Sequence, residues 1–225
     1  DLLAAVTDAD LSNDAFPYMS GREIEIGYGF ATALRVTYVG ELGWELYVPT
    51  EMAPGAFDTL AEAGEAHGLT LAGYHALDSL RSEKGYRHWG YDIGIEDSPI
   101  QAGLGFAVAF DKNTDFVGRD AVLRQRDEGV TRRLVQFALK DPEPLLFHDE
   151  PIWRDGRIVG RTTSGSYGHA LGAAVGLGYV EKGGAVVDRD WLLGGDYEVE
   201  VAGKRVPAEA SLRPLYDPKG ERVRG

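Results

Sequence analysis

The second half of the sequence is the part that most limits the possible folds. From Thr131 onward, about six short segments rich in β-branched and aromatic residues follow one another, with no helical segment between them. Asp155-Gly156 between two apolar pairs is typical of a tight hairpin turn, and Ala202-Gly203 joins the last two segments. The sequence therefore predicts a separate all-β layer, either a small barrel or a jelly-roll-like sandwich.

In the first half, the stretch from Leu34 to Pro49 contains two apolar runs joined by a turn that holds two glycines. This pattern predicts a β-turn-β unit with strands over 34–39 and 44–48. Glu45 follows Trp44 in the second strand, and alternation predicts that Glu45 shares a face with Tyr47. A carboxylate in an apolar strand is costly to bury unless it is hydrogen-bonded, so Glu45 either faces solvent or accepts bonds from a ligand with several N–H donors.

Two amphipathic helices are expected after this unit, one from about 50 to 67 and one from Tyr74 to Lys84, stopped by Gly85. Arg81 adjoins the apolar stripe of the second helix. It is placed either to reach into a cleft or to pair with Asp78 or an acid from another element. Farther on, 104–110 reads as an apolar strand and 118–127 as a short helix.

Residues 86–93 form an aromatic-rich loop that includes Trp89 and interleaved charges. Aromatic faces beside hydrogen-bonding groups suit a planar ligand, and they equally suit a domain junction. We place the boundary between a first domain, 1–130, and a second, 131–225, where the helical patterns give way to strands.

Composition excludes several classes of protein. The 225-residue chain has a net charge of −13 and no Lys/Arg-rich run, which argues against nucleic acid as a partner. It has no cysteine, and its five histidines lack the spacing of metal ligands, so we expect no metal site. Hydrolase, P-loop and dinucleotide-binding motifs are absent. No segment predicts a membrane span or signal peptide, which fits a cytoplasmic or mitochondrial-matrix protein.

Six stretches of the sequence resemble, in order, the signatures of the glycine-cleavage T-protein (aminomethyltransferase) family. They are T-Y-V-G-E-L-G-W-E-L-Y-V-P, L-D-S-L-R-S-E-K-G, G-Y-D-I-G-I-E-D-S-P-I-Q-A-G-L-G-F, D-F-V-G-R-D-A, V-G-R-T-T-S-G and P-L-Y-D-P. More narrowly, Y-R-H-W-G and G-S-Y-G-H resemble the carboxy-terminal folate domain of FAD-dependent dimethylglycine and sarcosine dehydrogenases.

The resemblance implies an α+β fold, in which part of a ferredoxin-like layer and a helical segment precede a carboxy-terminal barrel. It also implies a tetrahydrofolate site in which Glu45 binds the pterin N–H groups and Tyr38 supplies an aromatic contact. Arg81 and Trp89 complete the expected folate-binding set. The Arg that precedes D-S-L-R in T-proteins is Leu77 here, which favours the dehydrogenase branch.

In the family, the catalytic Asp lies in the amino-terminal half, before the position that corresponds to Asp1. No catalytic residue is therefore assigned, and we expect the chain alone to be inactive. Two hypotheses stay open. One is the folate part of an oxidoreductase whose preceding FAD domain produces a one-carbon iminium donor. The other is a non-catalytic folate-binding or regulatory module with the same fold.

Overall fold

The computed structural model describes residues 1–225 and divides into two compact units. Unit 1 comprises Asp1–Leu77 and Lys219–Gly225, and unit 2 comprises Asp78–Pro218. The secondary structure is mixed, with four α-helices and nine strands. The α+β class with a carboxy-terminal barrel, expected from the sequence, is confirmed. None of the helices has the length and apolar character needed to cross a membrane.

Unit 1 is a three-stranded antiparallel sheet covered by one helix. The strands are β1 (Gly21–Ile26), β2 (Gly29–Leu34) and β3 (Glu45–Tyr47), in that order across the sheet, and the helix is α1 (Ala53–Glu65). Alternate residues of β1 and β2 are buried, as expected for a sheet with one face on the core. That core contains Leu3, Phe16, Ile24, Ile26, Ala31, Ala33 and Ala56.

The predicted strand over 34–39 is wrong. The first strand of the pair is β2, which ends at Leu34 opposite Glu45, and residues 35–44 form an irregular loop. Arg35 is the last residue that keeps the β2 course, because its backbone N–H donates to the Ser20 carbonyl at 2.9 Å, one step beyond the Gly21 and Leu34 pair. Farther along, Thr37 Oγ1 accepts the Val39 N–H at 3.1 Å and Gly40 has a φ of 77°. A local side-chain bond of this kind competes with strand pairing, so the strand does not continue to residue 39.

Unit 2 contains a closed antiparallel barrel, whose strand order is β4-β7-β6-β5-β8-β9. Closure leaves no unpaired sheet edge. The barrel core includes Val135, Phe137, Ile152, Val180 and Val199. The strands are β4 (Arg132–Leu139), β5 (Pro151–Arg154), β6 (Arg157–Gly168), β7 (Ala173–Glu181), β8 (Tyr197–Val201) and β9 (Lys204–Ser211).

Both predicted tight turns of the barrel are present. Asp155 and Gly156 have φ values of 49° and 78°, and Ala202 and Gly203 have values of 48° and 77°. Two successive positive φ values are typical of the type I′ turn, whose twist matches that of antiparallel strands. One expectation for this region is wrong, because the short helix α4 (Arg189–Leu193) separates β7 from β8. Asp188 caps that helix by accepting a hydrogen bond from the Trp191 backbone N–H at 2.7 Å.

The remaining helices match the sequence patterns closely. Helix α2 covers Tyr74–Glu83 and α3 covers Arg119–Glu128, with Gly129 ending α3 at a φ of 87°. The predicted strand over 104–110 is wrong. Its centre is a turn of 3₁₀ helix, Gly105–Ala107, in which the Ala107 N–H donates to the Leu104 carbonyl at 2.9 Å. Apolar composition alone does not distinguish such a turn from a strand.

Candidate folate-binding site

Two of the predicted site residues, Tyr38 and Glu45, lie on one continuous segment of unit 1. Tyr38 is half-buried in the loop over 35–44. A side-chain turn in which Thr37 Oγ1 accepts the Val39 N–H at 3.1 Å brackets it, and Gly40 follows with a φ of 77°. Glu45 is the first residue after the loop and begins β3. The loop therefore delivers both side chains from a single stretch of backbone.

The carboxylate of Glu45 is hydrogen-bonded to the hydroxyl of Tyr47. Tyr47 donates to Glu45 Oε2 at 3.0 Å, so the predicted shared face is confirmed. The hydrogen bond to Glu45, followed by the negative charge of that carboxylate, raises the pKa of Tyr47 above its usual value. A carboxylate offers about four acceptor positions, so one hydroxyl leaves Glu45 with capacity for further donors. Glu45 is half-buried and Tyr47 is exposed, which keeps this face accessible within unit 1.

Arg81 lies in unit 2 and has surroundings unlike those of Glu45. Its side chain is buried, and it forms ion pairs with Asp78 at 3.0 Å and with Asp92 at 2.8 Å. Arg81 Nη1 also donates to Ser164 Oγ at 3.0 Å. The ion-pair alternative stated for Arg81 is therefore present, with Asp92 as a second and fully buried partner.

Asp92 connects Arg81 to the aromatic loop. Besides Arg81, its carboxylate accepts hydrogen bonds from the His88 backbone N–H at 2.9 Å and the Ser164 hydroxyl at 2.7 Å. The Thr163 hydroxyl also donates to it. Because the loop is held at His88 and Asp92, the backbone that carries the aromatic residues between these two positions is fixed. Sequence patterns gave no role to Asp92, since an acid among aromatic residues has no distinctive spacing.

Trp89 lies on that loop with 65% of its surface exposed. Tyr91 is exposed beside it in sequence, and Phe106 is exposed on the later 3₁₀ turn. Exposed aromatic rings on an anchored loop provide stacking surfaces for a planar ligand. Folate contacts by Trp89, and those by Tyr38, Glu45 and Arg81, stay predictions.

An open groove of about 840 Å³ lies against the barrel in unit 2, and its lining includes Tyr91, Asp97, Arg132 and Tyr179. The Arg132 guanidinium lies 4.6 Å from the centre of the Tyr179 ring and also pairs with Asp97. Burial, followed by the charge of Asp97, raises the pKa of Tyr179 well above its usual range, so its hydroxyl stays protonated. The groove therefore presents a neutral phenol beside a compensated ion pair.

Two domain-family models match the chain. The one described as GCVT N-terminal domain matches residues 1–112, and the one described as glycine cleavage T-protein C-terminal barrel domain matches residues 132–217. The chain therefore belongs to the glycine-cleavage T-protein family. This confirms the family resemblance of the six sequence stretches.

Similar proteins with curated descriptions include three of particular relevance. The chain is 51% identical to 4-methylaminobutanoate oxidase (formaldehyde-forming) of Paenarthrobacter nicotinovorans, over 100% of this chain and 26% of that protein. It is 40% identical to human mitochondrial sarcosine dehydrogenase, over 100% of this chain and 24% of that protein. It is 35% identical to human mitochondrial dimethylglycine dehydrogenase, over 95% of this chain and 24% of that protein. The chain thus spans about a quarter of the length of these relatives.

Among solved structures, the glycine cleavage system aminomethyltransferase T from Bartonella henselae is similar. It superimposes with a TM-score of 0.78 at 27% identity, over 96% of this chain and 56% of that one. This similarity agrees with the barrel and the α+β layer described above.

Proposed function

We propose that this chain is the tetrahydrofolate-binding part of an aminomethyltransferase-like enzyme. In the proposed protein it follows an FAD-dependent domain of the dimethylglycine or sarcosine dehydrogenase type. Its role is then to receive the one-carbon unit of an iminium donor on tetrahydrofolate. The observation that carries this proposal is the pair formed by Glu45 and Tyr47, within a family whose resemblance implies folate binding.

The donor and acceptor chemistry of this pair fits a pterin. A pterin presents an exocyclic amino group and ring N–H groups side by side, and a carboxylate can accept two such donors at once. A hydrogen bond to an ionised acceptor is roughly twice as strong as one between neutral groups. Glu45 keeps free acceptor capacity because Tyr47 uses only one of its positions. Tyr38 and Trp89 are proposed to contact the flat rings of the bound folate.

Tetrahydrofolate, when bound, supplies the nucleophilic amine that takes up the one-carbon unit. The residues of this chain are proposed to bind and orient it. Arg81 is proposed to contribute through the loop that carries Trp89, because its partner Asp92 accepts the His88 backbone N–H. Direct contact between Arg81 and folate, the prediction from the sequence, is retained as the alternative to be tested.

The names of the relatives support the donor class. Methylaminobutanoate, sarcosine and dimethylglycine are all N-methylated amino acids, and their oxidation releases the methyl carbon at the oxidation level of formaldehyde. The chain covers only about a quarter of these proteins, which supports a preceding domain in the parent. FAD belongs to that proposed domain, and no residue of this chain is assigned to it.

The test uses the protein at its full natural length. Titration calorimetry with tetrahydrofolate should give saturable binding, and an N-methylated amino acid plus tetrahydrofolate should give methylenetetrahydrofolate. The 225-residue chain, assayed beside it with tetrahydrofolate and formaldehyde, should bind weakly and not exceed the uncatalysed rate. Absence of tetrahydrofolate binding to the full-length protein would overturn the proposal. Full activity of the 225-residue chain would overturn the expectation that part of the active site is supplied by the rest of the full-length protein.

A regulatory module is the second candidate, and one comparison favours it. The chain is 38% identical to the mitochondrial pyruvate dehydrogenase phosphatase regulatory subunit of Mus musculus, over 96% of this chain and 26% of that protein. A regulatory protein would bind tetrahydrofolate or a partner without oxidising an N-methylated amine. Reduction of an electron-acceptor dye by the full-length protein with each of the three N-methylated amino acids separates the two candidates.

A further inference from the structure

The loop over 35–44 is long for the strands that it connects. It joins β2 to β3, and β3 is only three residues long and pairs with β2 through Thr32, Ala33 and Leu34. Short strands and long irregular loops have few cooperative hydrogen bonds and open easily. Since Tyr38 lies in the loop and Glu45 directly follows it, further contacts are needed to fix both positions.

Arg35, at the start of the loop, is the first anchor. Its side chain is 2% exposed, and Nη1 donates to the Phe16 carbonyl at 2.7 Å. Nη2 donates to the Arg224 carbonyl at 2.9 Å and to Asn13 Oδ1. One guanidinium therefore joins the start of the loop to two other parts of unit 1, the segment over 13–16 and the segment over 219–225. A guanidinium suits this use because its donors are fixed in one plane.

Trp44, at the end of the loop, is held by the same group. The Arg35 guanidinium lies 5.7 Å from the centre of the Trp44 ring, and Phe16 meets that ring edge-to-face at 4.6 Å. Arg22 covers Phe16 at 4.2 Å. Both ends of the loop thus belong to one stack of rings and guanidinium groups, and the residue after Trp44 is Glu45.

The segment over 219–225 supplies the remaining contacts. Val223 is 4% exposed, and the Gly225 carbonyl accepts a hydrogen bond from Asn13 Nδ2 at 3.4 Å. Arg222 pairs with Glu41, which is inside the loop, at 3.6 Å. Residues more than 170 positions later in the sequence therefore contact both the base and the middle of the loop.

We infer that Arg35 and the segment over 219–225 position the loop that carries Tyr38 and leads into Glu45. This inference rests on the proposed function, since Tyr38 and Glu45 are its ligand-binding residues. Arg35 is a positioning residue and does not touch the ligand. Arg35 orders the loop before the ligand binds. Ligand binding then does not carry the entropic cost of ordering ten residues.

The test compares variants in the full-length protein. Arg35→Lys retains the charge and loses the planar fork, and Asn13→Ala removes the link to both Arg35 and Gly225. Arg154→Lys is the matched control, because Arg154 is also largely buried, lies over a tryptophan ring and donates to a backbone carbonyl, but in the barrel. Arg35→Lys should weaken tetrahydrofolate binding about tenfold, and Asn13→Ala should weaken it less.

Two further readouts separate positioning from a general loss of stability. Hydrogen exchange of the peptide over 35–47 should become faster in both variants while strands β4 and β7 keep their protection. The turnover rate at saturating tetrahydrofolate should stay at the wild-type value, with the loss confined to KM. Faster exchange and weaker binding in Arg35→Lys but not in Arg154→Lys would support the inference.

The failures are distinguishable. If the wild-type protein does not bind tetrahydrofolate, the proposed function fails. If the wild-type protein binds tetrahydrofolate, and Arg35→Lys and Asn13→Ala bind it as tightly as the wild type, the positioning inference is overturned and the proposed function stands. If Arg154→Lys weakens binding as much as Arg35→Lys, the effect is one of global stability and the inference is likewise overturned.

Discussion

Glu45 and Arg81 are charged residues in opposite surroundings. Glu45 is half-buried on a face of unit 1, and one hydroxyl uses part of its acceptor capacity. Arg81 is buried in unit 2 between two carboxylates and a hydroxyl. A charge with accessible, unused hydrogen-bonding capacity can bind a ligand, whereas a buried charge held between two carboxylates mainly stabilises the fold.

The largest expected effect is the loss of stability caused by replacing Arg81. Arg81→Ala leaves the fully buried carboxylate of Asp92 without its cation, and breaking a buried pair from one side costs about 3–5 kcal/mol. We expect the melting temperature to fall by about 10 °C, measured by thermal denaturation.

The control for Arg81 is Asp78→Ala, which removes the more exposed of its two partners and should shift the melting temperature much less. An Arg81→Ala variant with unchanged melting temperature and weakened tetrahydrofolate binding would reverse the comparison and assign Arg81 to the ligand.

A smaller effect is expected at Glu45, on binding instead of stability. Glu45→Gln replaces an anionic acceptor by a group that also carries donors, and a hydrogen bond to a charged group is worth about 1.5–3 kcal/mol. Tetrahydrofolate affinity should fall roughly 10- to 100-fold by titration calorimetry, with the melting temperature nearly unchanged. Glu25→Gln, at an exposed position of β1 in the same sheet, is the matched control. Equal affinities of Glu45→Gln and Glu25→Gln would remove Glu45 from the site.

The smallest effect is expected at Tyr47. Tyr47→Phe removes the hydroxyl that donates to Glu45 Oε2, so the Glu45 carboxylate is no longer held in one orientation. Affinity for tetrahydrofolate should fall about fivefold, and adding Tyr47→Phe to Glu45→Gln should cause little further loss, because the two act through one contact. Tyr28→Phe, at an exposed turn of the same unit, should have no effect. Additive losses in the double variant would show that Tyr47 acts independently of Glu45.

The barrel and the first-unit loop differ in how well the sequence predicts them. Asp155-Gly156 and Ala202-Gly203 are turns whose backbone angles follow from the two residues in the turn, so local sequence is sufficient. The loop over 35–44 looks like a strand in composition, but its path depends on bonds from Arg35 to Phe16 and Arg224. Contacts over such separations leave no mark in a local pattern.

The candidate site shows the same division. Alternation in a strand was enough to predict that Glu45 and Tyr47 share a face, because side chains repeat every two residues. The contacts of Asp92 could not be predicted in this way. Arg81 comes from the preceding helix, and Thr163 and Ser164 come from a strand about 70 positions later in the chain.

By itself, the sequence determined the family, the α+β class, the barrel with its hairpins and the face of Glu45. Each of these depends on residue types at fixed short spacings or on motifs in a fixed order. Only the tertiary structure decided that β2 ends at Leu34, that Arg81 is paired with Asp92 and that residues 219–225 anchor the loop before Glu45. The physical reason is that a buried guanidinium must find acceptors wherever the fold brings them, and the position of those acceptors is a property of the whole chain.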